Sequence, residues 1–138
     1  MFEEMIESYL AKLKEIEGYD VKSVILFGSV ARGQAREHSD IDIIVVASGL
    51  PDLKRRDVLP PFRKPARIQD IWMTPEELED MTIAKTGFLV DALLEGRVLR
   101  DDGTLWLNIG DSYARQAGDD SKKDPKSINT GYSAVVAG

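Results

Sequence analysis

Apolar residues recur at Phe2, Ile6, Tyr9, Leu10, Leu13 and Ile16, the three-and-four spacing that lays one stripe along a helix, and Gly18 stands where such a helix stops. The spacing predicts an amphipathic helix over 3–17. From 21 to 27 the pattern becomes a β-branched apolar run that ends at Gly28, which predicts a buried strand entering a sharp turn, with a short helix starting at Ser29. A second strand over 40–47 is nearly continuous in Ile and Val, so both of its faces are expected to be covered, as in the middle of a sheet.

Residues 50–65 are broken by prolines and carry Lys54, Arg55, Arg56, Arg63 and Lys64, which predicts a short helix followed by an irregular connection. A third strand is predicted over 67–73. Thr74-Pro75-Glu76-Glu77 then carries the marks of a helix start, with Thr74 as cap, Pro75 in the first helical position and Glu77 completing a capping box. The helical pattern runs to Glu95 with a break expected at Gly87; Gly96 closes it and 97–99 reads as a short edge strand. The elements together predict an α/β (α+β) domain with a small mixed or mostly antiparallel sheet backed by helices. Beyond Gly103 the chain turns rich in Gly, Ser, Asp, Lys and Asn, so the expected division is a domain over 1–103 and a poorly packed tail over 104–138.

A length of 138 residues suits one small domain with a real core. The chain has no cysteine and one histidine, His38, which excludes thiolate sites and argues against zinc; any metal is expected on oxygen ligands. A net charge of -6 argues against stable nucleic-acid binding, whose affinity comes from clustered Lys and Arg. Acid at Glu3 and Glu4 in place of a basic leader, and no apolar run of bilayer length, predict a cytoplasmic protein with no membrane association.

The chemistry-bearing stretch is Gly28-Ser29, ten residues, then Asp40-Ile41-Asp42. Gly28 and Ser29 fall at a strand-to-helix junction, where free backbone N–H groups attract phosphate oxygens, glycine allows close approach and the serine hydroxyl adds a donor. Asp40 and Asp42 alternate along a strand, so both side chains share a face and can grip one Mg²⁺ ion. A third carboxylate is wanted to complete a two-metal site or to accept a proton, and Asp70 is the candidate as the only acid inside the third strand. An acid in so apolar a strand is costly unless it is paired or ligates something. Arg32 is a candidate contact to a triphosphate and equally a candidate for a local ion pair.

The longer run Gly28-Ser29-x-x-Arg32-Gly33 with Ser39-Asp40-Ile41-Asp42 resembles the signature of the minimal nucleotidyltransferases, small members of the DNA polymerase β superfamily. The resemblance implies a polymerase β-like nucleotidyltransferase fold and a catalytic and metal-binding set of Asp40, Asp42 and Asp70, with Gly28, Ser29 and Arg32 on the nucleotide's phosphates. It further implies Mg²⁺ as cofactor and ATP as substrate. Many proteins of this kind are antitoxins that transfer AMP from ATP to a tyrosine of a HEPN-domain toxin, so a HEPN toxin is the partner it implies.

Two alternatives stay open on the residues: a non-catalytic antitoxin that masks its partner, and an enzyme that adds nucleotides to an RNA end, landing on the basic run 54–67. His38 is read as a bystander, and Trp72 and Trp106 as packing residues. The segment 97–113 resembles a stretch of DNA amino-methyltransferases, but their Asp/Asn-Pro-Pro-aromatic motif and Gly-rich loop are missing, and methylation is not expected.

Overall fold

The computed structural model describes residues 2–84 and 87–103. The expected tail over 104–138, with Trp106 in it, lies outside the described residues. In chain order the elements are α1 (Phe2–Glu15), β1 (Asp20–Phe27), α2 (Gly28–Ala31), β2 (Ile41–Ser48), a 3₁₀ turn (Leu53–Val58), β3 (Ile68–Met73), α3 (Pro75–Ile83), α4 (Gly87–Glu95) and β4 (Arg97–Asp101).

The four strands form one mixed sheet in the order β3-β2-β1-β4. β1 pairs antiparallel with both β2 and β4, and β2 pairs parallel with β3. The apolar continuity of β2 has the expected cause: Ile43, Ile44, Val45, Val46 and Ala47 are all fully buried because helices cover both faces of the sheet. On one face α1 packs Tyr9 and Leu13 against Val24, Leu26, Ile43, Val45 and Trp72. On the other, Leu78 of α3 and Leu89 and Ala92 of α4 pack against Ile25, Ile44, Val46 and Met73. Each fully buried Leu or Ile stabilises the fold by roughly 1.5–3 kcal/mol, so the two faces together outweigh any surface ion pair.

Local chemistry sets the ends. The predicted capping box forms: Thr74 Oγ1 accepts from the Glu77 backbone N–H at 3.1 Å, and the Thr74 N–H donates to Glu77 Oε1 at 2.8 Å. α4 ends at Gly96, where a Cβ would run into the carbonyl oxygens of Ala92 and Leu26, so only glycine lets this helix close against β1. Among the described residues no helix is long and apolar enough to cross a membrane.

The basic run after β2 acquires a structural explanation. Arg56 donates to the carbonyls of Pro51 and Trp72 and to Glu77 Oε1, and Lys64 donates to the carbonyl of Ile68. Two of its cations thus cap carbonyls of the edge strand β3, which would otherwise invite another strand to pair. Lys54, Arg55 and Arg63 remain exposed.

Candidate active site

β1 delivers Gly28 to the end of the sheet and β2 delivers Asp42 beside it, because Phe27 and Asp42 are directly paired across the antiparallel ladder. Gly28 has φ +75°, in the left-handed region that favours glycine. A Cβ at this position would collide with the Asp42 carboxylate, so the turn backbone lies directly against that group. The turn is held by Arg32 N–H to Gly28 O at 3.1 Å and Gln34 N–H to Ser29 O at 2.9 Å. As in any helix start, the first N–H groups of α2 have no partner within the helix.

Asp42 is half-buried and Asp40, just ahead of β2, is exposed. Burial pushes the Asp42 carboxyl above its ordinary value, the neighbouring Asp40 charge pushes it further, and the Arg32 guanidinium opposes both. No described residue donates a hydrogen bond to either carboxylate. Arg32 instead bonds Gln34 through Nε at 3.2 Å and lies 3.6 Å from Glu95 at the end of α4. Two adjacent, under-compensated carboxylates suit a divalent cation, whose charge reverses the mutual repulsion; Mg²⁺ in particular takes one or two protein carboxylates and completes its shell with water and phosphate. Asp40 and Asp42 are the residues that could hold it.

Asp70 does not join them. In the parallel ladder it pairs with Ile43, and Asp42 pairs with Gln69. Neighbours in register share a face, so Asp70 projects to the α1 side and Asp42 to the side of α3 and α4. There Asp70 Oδ2 accepts from the Tyr9 hydroxyl at 2.6 Å and from Trp72 Nε1 at 2.9 Å, with Lys64 Nζ 3.7 Å from Oδ1. The cost of an acid in an apolar strand is met by pairing rather than by ligation. The expected convergence of Asp40, Asp42 and Asp70 is therefore corrected to a pair, and among the described residues no group of three His, Asp or Glu could hold a metal.

A family model described as Polymerase beta, Nucleotidyltransferase matches residues 4–103. The chain belongs to this nucleotidyltransferase family. A Methanocaldococcus jannaschii protein provisionally named a protein adenylyltransferase is 32% identical over 117 residues, covering 78% of each chain. The protein adenylyltransferase MntA of Thermococcus cleftensis is 46% identical over 52 residues, covering 36% of this chain and 52% of its own. A solved structure of a toxin–antitoxin with AMP-PNP aligns with 84% of this chain and 90% of its own at 17% identity and a TM-score of 0.48.

In this nucleotidyltransferase Gly28, Ser29, Asp40, Asp42 and Arg32 lie at one end of the sheet, and Asp70 lies across it. Two placements near these acids were not legible in the sequence. Tyr9 reads only as a member of the α1 stripe, with nothing to mark its hydroxyl as the partner of Asp70. Gln69, the neighbour of Asp42 on the site face, is an unremarked polar residue until the register is known.

Proposed function

We propose that this nucleotidyltransferase transfers AMP from ATP to a tyrosine hydroxyl of a HEPN-domain toxin and so acts as its antitoxin. The observation that carries the reading is the Gly28 backbone pressed against the Asp42 carboxylate, the arrangement wanted if this turn binds phosphate and this acid binds a cation. The protein adenylyltransferase names of its relatives agree with AMP as the group transferred and a protein as its acceptor.

In this reading Asp40 and Asp42 hold Mg²⁺, and the backbone N–H groups and hydroxyl of Gly28-Ser29 bind oxygens of the triphosphate. Bound there, Mg²⁺ supplies neutralisation of the charge that builds on the phosphoryl oxygens. Arg32 adds positive charge for the departing pyrophosphate. The acceptor oxygen attacks the α-phosphorus in line and gives its proton to solvent water, the bond from that phosphorus to the α,β-bridging oxygen breaks, and pyrophosphate leaves. A phenol, with a pKa of about 10, surrenders its proton more readily than an aliphatic hydroxyl. That favours tyrosine in a site whose carboxylate pair is joined by no third Asp, Glu or His among the described residues. Ile71, 38% exposed on the same face as Asp42, offers an apolar contact to a protein acceptor.

The test is incubation of the protein with ATP, Mg²⁺ and the product of the neighbouring gene, followed by mass analysis of both chains. AMP on a partner tyrosine, absent with Asp42→Asn, supports the proposal. AMP on an RNA end, or partner inhibition that survives Asp42→Asn with no modification, overturns it.

A further inference from the structure

The parallel register that removes Asp70 from the site puts another residue in its place. Gln69 is the Cα partner of Asp42, on the same face and one strand spacing away, about 4.8 Å for adjacent strands. It is exposed, and its Nε2 donates to the carbonyl of Ala66 at 3.0 Å. That bond commits the amide nitrogen as a donor, which leaves the amide oxygen as the acceptor end of the side chain. Ile71, the next residue of β3 on this face, has no donor atom.

We infer that Gln69 occupies the third ligand position of this face, and that its neutral amide limits the site to one protein-bound cation where an acid would admit two. The inference rests on the nucleotidyl-transfer reading above. A second divalent cation beside the first needs added negative charge to offset the repulsion between them. An amide oxygen offers a lone pair and no net charge. Asp40 and Asp42 support one cation together, and the remaining acid of β3, Asp70, is committed to Tyr9 and Trp72 on the far face. The position is therefore a switch in metal count governed by one side chain. Because Gln69 is exposed on an edge strand, an isosteric acid there perturbs no core packing.

The experiment counts Mn²⁺ bound per chain, by electron paramagnetic resonance of the complex with an ATP analogue carrying a methylene between the α- and β-phosphorus. The wild-type protein is expected to bind one Mn²⁺, Gln69→Ala one, and both Gln69→Glu and Gln69→Asp two. Asp70→Asn is expected to bind one, as the wild type does. Two Mn²⁺ in the wild type, or one in both acidic variants, overturns the assignment of Gln69 while leaving nucleotide transfer intact. If the wild type binds neither the analogue nor Mn²⁺, the nucleotidyl-transfer reading itself fails and this inference with it.

Discussion

Asp70 offers the sharpest contrast between a structural and a catalytic acid. Replacing it with alanine removes one oxygen that receives both the Tyr9 hydroxyl at 2.6 Å and Trp72 Nε1 at 2.9 Å. Tyr9 is 1% and Trp72 8% exposed, so neither donor can turn to water. Each buried donor left unsatisfied costs about 1–3 kcal/mol, giving a loss of roughly 2–6 kcal/mol for Asp70→Ala. The Lys64 ammonium, 3.7 Å away and partly exposed, adds little. For a domain of this size one kcal/mol moves Tm by about 4–8 °C, so Asp70→Ala should melt at least ~8 °C lower or fail to fold. Asp70→Asn keeps an acceptor oxygen and should lose only about 1–2 kcal/mol. Tyr9→Phe combined with Asp70→Asn should be less damaging than the single losses predict, by about 0.5 kcal/mol or more, because the two share one bond. The decisive assay pairs thermal melts of Asp70→Asn with AMP transfer measured well below its Tm. Transfer should stay within about threefold of wild type with an unchanged Mg²⁺ requirement, since a residue that touches no reacting group costs little in rate. An Asp70→Asn protein that melts like the wild type yet transfers about 100-fold less would refute the reasoning.

Gly28→Ala should abolish transfer and lower stability by about 1–2 kcal/mol or more, since alanine pays for left-handed φ and its Cβ strikes the Asp42 carboxylate; melts and the transfer assay read both. Asp42→Asn should abolish transfer yet raise Tm at neutral pH in the absence of Mg²⁺. The Asp42 carboxyl is raised in the folded protein, so its stability contribution is full below the ordinary value of 3.8 and lost as pH rises through the higher folded value; the gain in Tm should vanish in acid. Glu77→Gln should do the reverse. Burial tends to raise Glu77, but Arg56 and the Thr74 cap outweigh it and hold the carboxyl below its ordinary 4.5, so its contribution is present above 4.5 and lost as pH falls through the lower folded value. The variant should lose about 1–3 kcal/mol at pH 7 and melt less steeply in acid, by calorimetry across the pH range.

The order and type of the elements were legible because each carries its own local signal. The α1 stripe, the apolar runs of β1 and β2, and the Thr74 capping box all report on neighbours in sequence, and the structure has them where those signals point. The contact between Gly28 and Asp42 was legible in part, since glycine at a strand end followed at fixed spacing by Asp40-x-Asp42 implies a turn meeting a strand. The face of Asp70 was not. β2 is apolar on both faces, so its alternation does not reveal which side Asp42 shares with which residue of β3. One residue of register separates a ladder that pairs Asp42 with Asp70 from the ladder that pairs it with Gln69. The rule that a buried acid must be paired or ligating holds, but it is silent on which, and Tyr9, distant in sequence, decided the matter. The basic run was ambiguous for a similar reason: Arg56 and Lys64 find their carbonyl partners only after β3 becomes an edge strand.

The central claim, that the adenylyl group and not a phosphoryl group moves, is tested most directly with ATP labelled separately at its α- and γ-phosphorus. With Mg²⁺ and the partner present, the account predicts α-label on the partner chain, γ-label released in pyrophosphate, and neither transferred by Asp42→Asn. Transfer of γ-label to the partner, or no label from either position, would contradict it.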